Sequence, residues 1–525
     1  MDNIFEQLAE KYIDRSVAFS PVSATGLGDH RFDDQLDEIS EAARAKQLQF
    51  NRDIRDALDQ IDVEKLSRAN QVDYQLLRHE LDADHWHTTV LQEWAWNPLV
   101  YTQRAGSAIY SLVARDFAPL AERLRCVAKR LEQFPRFHQQ VRETLDVGRV
   151  PAIHAETAVS QTKGILSIFE QMIRPQVDSL PDDQKGQLAA ALTAAEQAIN
   201  EQHRWLETEV LPNAKGGFRI GAELYDQKLA FALHSPLSRA EIRTAAERQL
   251  SKLHTEMYEI AKRLYREEYP LTDFPEPPAD AFRRAIIRFG LEKAYALTPD
   301  ADAIVATAEQ SLAAATDFVR DNELVTIPPD PVNIITMPEF QRGVSLAYCD
   351  PPGPLETGQQ TFYAVSPIPE SWNEQQIRSH LREYNLRSLD ILTIHEAMPG
   401  HFLQLAHSNR CPSRLRRFLH SGVFIEGWAV YTEKMMCESG YLDHDPILKL
   451  VSLKWTLRGV VNAILDQAVH VDGISRDDAM RLMVEDAFQE EREAAAKSVR
   501  AQLTSAQLPT YFVGNAQTTS PAATG

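Results

Sequence analysis

The sequence predicts a mainly α-helical protein with a small antiparallel β element. Two observations support this fold class. Long segments repeat apolar residues at intervals of three and four, and only three short segments are rich in β-branched or aromatic residues. At 525 residues, the chain is too long for one simple core. We therefore expect an N-terminal helical lobe over residues 1–215, a catalytic lobe over 216–513 and a disordered tail over 514–525.

The helical periodicity is clearest in residues 35–61, 116–134 and 238–265, where polar residues separate the apolar ones. The third segment opens with Ser238 and has Glu241 three residues later, which is the pattern of a capping box. These segments are the basis for predicting helix over most of the chain.

The strand signals lie in residues 332–338, 343–350 and 361–367, each short and bounded by proline or glycine. Their closeness in the chain predicts a small antiparallel sheet. Such a sheet could accept an extended peptide as an added strand, or could simply stabilise the lobe.

Charge and composition exclude some classes of partner. The net charge of −20 disfavours nucleic acid, because the surface repels a phosphate backbone. No run of about 18 apolar residues predicts a membrane span. The opening stretch MDNIFEQLAEKYIDR lacks the features of a signal peptide, and the four cysteines are widely spaced. We therefore expect a cytoplasmic protein with no membrane partner.

The stretch LTIHEAMPGHFLQLAH, residues 392–407, holds two histidines and a glutamate in apolar surroundings. His395 and His401 are six residues apart, which on a regular helix separates them by about 240°. Pro399 disrupts a helix, and Gly400 tolerates dihedral angles that other residues avoid. If these two residues form a bulge, the histidines can share one zinc ion as they do in an H-E-x-x-H helix.

A catalytic zinc site needs a third protein ligand and one open position. The segment GVFIEGWAVYTEKMM, residues 422–436, offers Glu426 as that ligand, and Glu433 is the alternative or a partner of the ligands. Glu396 would then act as general base on the zinc-activated water.

A further helix, residues 454–473, carries Arg458, Asn462, Asp466 and His470 at steps of four. His470 could stabilise an oxyanion and Arg458 could hold a substrate carboxylate, or the four residues could form a buried polar ladder. Tyr431 and Tyr511 are further candidate oxyanion donors.

Four segments of the chain resemble a zincin-like family of proposed metallopeptidases that is catalogued as domain of unknown function 885. They are IHEAMPGHFLQ (394–404), EGWAVYTEKM (426–435), DQAVH with GISRDDA (466–479) and LPTYFVG (508–514). The resemblance covers most of the chain. It implies a large helical zincin-like metallopeptidase fold with a deep cleft, and zinc bound by His395, His401 and Glu426. Glu396 would be the catalytic base, and Gln404 matches the glutamine of the motif.

Three functions remain open on the sequence. The first is a zinc metallopeptidase that cleaves short peptides. The second is a zinc-dependent amide hydrolase or lyase that acts on a specialised metabolite. The third is a non-catalytic binding protein on the same scaffold, which the retention of Glu396, His395 and His401 disfavours. The expected partner is a short peptide or an amide-containing small molecule.

Overall fold

Helices make up most of the protein, as the sequence predicts. The structure is a computed structural model that describes residues 1–337, 346–356 and 358–519. The capping box at Ser238 is confirmed. The Glu241 N–H donates to Ser238 Oγ at 3.3 Å, and the Ser238 N–H donates to Glu241 Oε2 at 2.8 Å. This pair satisfies two backbone donors at the start of a 30-residue helix.

The chain divides into two compact units. The first contains residues 1–218, 352–359 and 408–420, and the second contains the remainder. The sequence predicts that residues 352–359 and 408–420 belong to the second lobe, but they belong to the first unit.

The first unit is helical, and one of its cores gathers apolar side chains such as Phe5, Ile13, Ile54 and Leu77. Its helices are α1 (Asp2–Ser16), α2 (Pro21–Leu27), α3 (Glu41–Leu58), α4 (Arg68–Trp86), α5 (Glu93–Trp96), α6 (Leu99–Val113), α7 (Leu120–Leu131), α8 (Phe134–Thr144), α9 (Ala152–Ile168), α10 (Asp182–Trp205), α11 (Leu211–Asn213) and, from the later segment, α19 (Arg414–Phe418).

The second unit contains the histidine motif and a three-stranded sheet. Its elements are α12 (Gly221–Leu233), α13 (Arg239–Glu268), α14 (Asp280–Tyr295), α15 (Ile304–Asp321), β1 (Val332–Thr336), β2 (Ala347–Asp350), β3 (Thr361–Val365), α16 (Glu374–Glu383), α17 (Leu386–Glu396), α18 (His401–Ser408), α20 (Gly422–Glu438), α21 (Tyr441–His444), α22 (Pro446–Gln467), α23 (Arg476–Arg481), α24 (Glu491–Leu503) and α25 (Pro509–Thr518).

The sheet is mixed, so the expectation of an antiparallel sheet is wrong. Its strand order is β1-β3-β2, with β1 parallel to β3 and β2 antiparallel to it. The reason is that β3, which is buried along its whole length, lies in the middle and not at an edge. Pro338 and residues 343–345 of the expected strands lie outside the described residues.

Helix α22 lies at the centre of the second unit, since most of its residues are buried, including the polar side chains of Lys454, Arg458 and Asp466. The helices that pack against it include α13, α14, α17, α20 and α25. Through α17 and α20, this central helix supports the histidine motif and the Glu426 segment.

The expected disordered tail is wrong for residues 514–518, which complete helix α25. Gly427 of α20 and Gly514 of α25 meet backbone to backbone. A Cβ atom added to Gly427 would lie 2.6 Å from the Gly514 Cα, and one added to Gly514 would lie 2.1 Å from the Val423 carbonyl oxygen. Only glycines permit this contact, and it holds α25 against α20. Residues 520–525 lie outside the described residues.

Within the described ranges, every helix is too short or too polar to cross a lipid bilayer.

Replacing Gly427 with alanine should destabilise the protein, because the new methyl group would overlap the backbone of α25. We expect a loss of about 1–3 kcal/mol in the free energy of unfolding, measured by urea denaturation. Gly459→Ala is the matched control, since a Cβ there meets only the Tyr511 Cβ at 3.6 Å. That helical site should gain about 0.5–1 kcal/mol. Equal effects of the two substitutions would contradict the close contact.

Candidate metal centre and cavity

The two motif histidines are brought together by a break between helices α17 and α18. Helix α17 ends at Glu396, and α18 begins at His401. The N–H groups of Ala397 and Met398 both donate to the Thr393 carbonyl, at 2.9 and 3.1 Å. The chain therefore stops one helix and starts another, instead of looping two residues out of a continuous helix as the sequence analysis expects.

Gly400 makes this tight turn feasible. A Cβ atom added there would lie 1.9 Å from the His395 carbonyl oxygen and 2.3 Å from that of Ile394. No larger residue fits at such an approach. The turn leaves the His395 and His401 rings with centroids 4.7 Å apart and nearly perpendicular planes.

Glu426 of helix α20 faces both histidines. Its Oε2 atom lies 3.6 Å from the His395 Nε2 and 3.6 Å from the His401 Nε2. These separations are too long for good hydrogen bonds. The Glu426 Oε2 is buried and has no hydrogen-bond partner among the described residues. A buried carboxylate oxygen in that state is costly unless a cation accompanies it.

The donor set suits zinc. The ligand atoms of His395, His401 and Glu426 all lie within 4.8 Å of one another. Two atoms that bind one tetrahedral zinc at their usual distances are separated by about 3.4 Å, close to the observed 3.6 Å. Two imidazole nitrogens and one carboxylate are also the ligand types that leave a fourth position open in catalytic zinc sites.

Glu433 orients the first of these histidines. It lies two helical turns after Glu426, and its Oε1 accepts a hydrogen bond from the His395 Nδ1 at 2.7 Å. The Nδ1–H bond fixes the tautomer in which Nε2 carries the free lone pair, and that nitrogen is the one that faces Glu426. Glu433 therefore positions a ligand, and the alternative in which it binds metal directly is less consistent with this geometry.

The charges at the centre favour a cation. Burial lowers the pKa of His395, but the nearby Glu426 carboxylate, the hydrogen bond to Glu433 and the charges of Glu433 and Glu396 outweigh it and raise that pKa well above its ordinary value. Burial raises the pKa of Glu426, yet His395 and His401 hold it below its ordinary value. The carboxylates therefore attract positive charge to the point between the imidazoles.

Glu396 stands beside this group at the end of α17. Its Oε2 accepts a hydrogen bond from the Cys349 N–H of strand β2 at 3.0 Å. Burial raises the pKa of Glu396, although His401 and His395 partly oppose the shift. A raised pKa brings a carboxylate closer to the value that general-base catalysis near neutral pH needs.

The candidate metal centre opens into a cavity of about 560 Å³ within the second unit. His395, Glu396, His401 and Glu426 all line it. Other walls come from strand β2 and from helices α16, α22, α24 and α25. Aromatic and charged residues dominate those walls: Tyr348, Trp372, His380, Glu383, Tyr384, Trp455, Arg458, Arg492, Glu493, Lys497, Arg500 and Tyr511.

The polar stripe predicted from the sequence consists of Arg458, Asn462 and Asp466 on helix α22 and His470 just after it. Of these four residues, Arg458 and Asn462 line the cavity. Arg458 is already paired, since Nη1 donates to Glu383 at 3.1 Å and Nη2 donates to Glu493 at 2.6 Å. A guanidinium held between two carboxylates has little positive charge left for a substrate, which weakens its expected role as carboxylate anchor.

The structure does not bring His470 to the candidate site, so its expected role as oxyanion donor is not supported. Its Nε2–H donates to the carbonyls of Ala501 and Thr504, at 2.8 and 2.7 Å. Asp466 lies elsewhere too, accepting from the Tyr225 hydroxyl at 2.6 Å. The stripe spans twelve residues, or about 18 Å of helix, so its two ends cannot serve one site.

The two candidate tyrosines differ in position. Tyr431 is not among the described residues that line the cavity, because on helix α20 it points about 140° away from Glu426. Its expected role as oxyanion donor is therefore not supported either. Tyr511 does line the cavity. Its hydroxyl accepts a hydrogen bond from Arg500 Nη2 at 3.3 Å, which leaves its own proton free to donate.

Helix α24 contributes cavity residues that no pattern in the sequence indicates. Glu493, Lys497 and Arg500 occur in EREAAAKSVR, which reads as an ordinary solvated helix. They line the cavity all the same, on one face at intervals of three and four. Gln404, which the motif singles out, is buried on α18 and is not among the described residues that line the cavity.

The solved structures that are similar to this chain include two candidate lipoproteins. A candidate lipoprotein of unknown function from Shewanella oneidensis is 32% identical, with a TM-score of 0.80, over 98% of this chain and 92% of that one. A candidate lipoprotein from Colwellia psychrerythraea has a TM-score of 0.75 with the same coverage, but at 18% identity it shows the fold alone. A sequence model of bacterial proteins of unknown function, DUF885, matches residues 21–520. No curated protein matches the chain.

Replacing Glu433 with glutamine should weaken metal binding, because the amide cannot support the His395 Nδ1–H with a negative charge. We expect the affinity for zinc to fall about 10- to 100-fold, measured by competition with a chelating dye. Glu438→Gln, an exposed site on the same helix, is the control. Unchanged affinity in Glu433→Gln would show that this hydrogen bond does not orient a ligand.

Proposed function

The chain belongs to DUF885, the bacterial family of unknown function whose model it matches, and we propose that this member is a zinc-dependent metallopeptidase that cleaves short peptides. One observation carries the proposal. His395 Nε2, His401 Nε2 and Glu426 Oε2 converge on one point, and Glu396 lines the same cavity beside them. This combination of two imidazoles, a ligand carboxylate and a second, non-ligand carboxylate is what zinc-assisted hydrolysis of an amide requires.

His395, His401 and Glu426 would hold the zinc. When bound, zinc supplies a Lewis acid that makes water a stronger nucleophile near neutral pH and polarises the scissile carbonyl. Glu433 keeps His395 in the tautomer that such binding needs.

Glu396 moves the proton. Its carboxylate is held by the Cys349 N–H, so one oxygen is fixed in place on the cavity wall. With its pKa raised by burial, Glu396 takes a proton from the attacking water and returns it to the leaving amine nitrogen. Because Glu396 is buried, the transferred proton is shielded from bulk water.

Tyr511 is the residue best suited to stabilise the negative charge that develops on the carbonyl oxygen. It lines the cavity, and its hydroxyl already accepts from Arg500, so it can donate its own proton inward. A neighbouring guanidinium strengthens such a donor. This proposal replaces His470 and Tyr431, which lie away from the cavity.

The cavity favours small substrates. Its volume of about 560 Å³ is within the range of small-molecule sites. The aromatic walls at Trp372, Tyr384 and Trp455 can pack against side chains of a short peptide. The proposed partner is thus a short peptide, and the cytoplasmic location stays a prediction.

Replacing Glu396 with glutamine should leave zinc binding intact and lower the rate of peptide cleavage about 100- to 10,000-fold, because the amide cannot accept the proton. The measurement is cleavage of a mixed dipeptide and tripeptide library by zinc-loaded protein, followed by mass spectrometry. Glu438→Gln serves again as the control and should cleave like the wild type.

Two outcomes would contradict the proposal. Full activity in Glu396→Gln would remove this residue as the base. A zinc-loaded wild type that cleaves no member of the library would contradict the peptidase function. Hydrolysis of other amides by that protein would then favour the metabolite-directed alternative.

A further inference from the structure

Helix α24 presents a buried lysine to the cavity without a partner. Lys497 is 8% exposed and lines the cavity. Across the described parts of the chain, no residue forms a hydrogen bond or an ion pair with its ammonium group. An ammonium buried in this state is costly, and most buried lysines are paired.

The nearby carboxylates of Glu383 and Glu493 are already paired with other cations, and neither forms an ion pair with Lys497. Glu383 accepts from Arg458 at 3.1 Å and from Lys454 at 2.8 Å. Glu493 accepts from Arg458 at 2.6 Å and from the Tyr384 hydroxyl at 3.0 Å. The charges of Glu383 and Glu493 are therefore balanced by those of Lys454 and Arg458. Lys497 is not part of this network of ion pairs.

Arg500 lies one turn further along the same face. Its Nη2 donates to two neutral groups, the Gln507 Oε1 at 3.1 Å and the Tyr511 hydroxyl at 3.3 Å. No carboxylate lies within ion-pair distance of Arg500 among the described residues. Lys497 and Arg500 thus form a positively charged patch on the cavity wall, in a chain whose net charge is −20.

The electrostatics agree with this arrangement. Burial lowers the pKa of Lys497 to about 7, and the charges of Arg458 and Arg500 add to this effect, while those of Glu493 and Glu383 partly oppose it. An anion bound beside the ammonium would remove that penalty. A cavity wall that concentrates positive charge without its own counter-ion is suited to an anionic part of the ligand.

We propose that Lys497 and Arg500 bind a carboxylate of the substrate, and that this carboxylate is the free C-terminus of a short peptide. The inference rests on the proposed peptidase function and names its substrate class. Tyr511 links the patch of Lys497 and Arg500 to the candidate metal centre. Its hydroxyl accepts a hydrogen bond from Arg500. Burial and the charge of Glu426 raise its pKa. Anchoring the peptide terminus here holds the chain against the metal centre.

The alternative source of the same chemistry is an acidic side chain of the peptide. Arg458 is a weaker candidate for the anchor, because Glu383 and Glu493 already balance its positive charge. Amidation of the C-terminus removes a terminal carboxylate and leaves a side-chain carboxylate in place, so it separates the two sources.

The test uses equimolar tripeptide pools, one of free acids and one of C-terminal amides, with the zinc-loaded Glu396→Gln protein. Peptides retained on ultrafiltration are counted by mass spectrometry, so the readout is binding without turnover. We expect the free acids to be retained about 10- to 100-fold over the amides. Lys497→Met in the same background should abolish this preference, and the exposed Lys434→Met should not.

Equal retention of acids and amides, or a preference that survives Lys497→Met, would overturn the subsite. Preferred retention of only those amides that contain Asp or Glu would overturn the terminal carboxylate in favour of a side chain. Cleavage by the wild type tells the two proposals apart. Equal cleavage of both pools contradicts only the subsite, whereas selective binding of acids without any cleavage contradicts only the peptidase function.

Lys497→Met also has a readout that needs neither zinc nor peptide. Because the ammonium is buried and unpartnered within the described chain, an apolar side chain of similar length should raise the melting temperature of the ligand-free protein. A clear fall in melting temperature would show that Lys497 has a structural partner, and the subsite proposal would lose its basis.

Discussion

The approach of Gly400 to the His395 carbonyl is the constraint on which the candidate centre depends. A regular helix would send His395 and His401 to different sides. The break after Glu396, closed by a residue without a side chain, separates the two helices by four residues. It keeps Glu396 on the end of one helix and His401 on the start of the next. The position of the histidines thus depends on backbone packing more than on side-chain contacts.

The rest of the second unit supports that turn from two sides. Helix α20 supplies both Glu426 and Glu433, one facing the imidazole nitrogens and the other holding an imidazole in place. Helix α25 is fixed to α20 by the Gly427–Gly514 contact, which delivers Tyr511 to the cavity. The glycines at these two points allow backbones to meet more closely than any other residue would permit. The positions of the candidate zinc ligands and of Tyr511 therefore depend on close contacts between uncharged backbone atoms.

Local patterns in the sequence predicted much of the fold and the core of the site. Apolar periodicity and the Ser238–Glu241 box identify helices because both signals lie within one element. The spacing of the histidine motif and the glutamate of the next helix likewise pointed to His395, His401 and Glu426. Sequence alone could not give the strand order, because a fully buried central strand and an edge strand of similar composition differ only in their neighbours.

The site residues that the sequence misplaces or misses share one physical cause, which is the packing of helices that are distant in the chain. His470 and Tyr431 carry suitable chemistry, but the direction of a side chain on a buried helix depends on how that helix packs. Lys497 and Arg500 look like residues of a solvated surface helix, and only the tertiary structure turns that face toward the cavity. The pairing of Arg458 with Glu383 and Glu493 is also invisible in sequence, since its partners lie 75 and 35 residues away.

The most direct test of the central claim is the zinc content of the purified protein and of His401→Ala, measured by elemental analysis after equilibration with zinc and removal of loosely bound metal. We expect one zinc per chain in the wild type and a loss of that zinc in the variant, with the fold retained as judged by circular dichroism. A wild type that binds no zinc, or a variant that keeps a full equivalent, would contradict the assignment of His395, His401 and Glu426 as a metal centre.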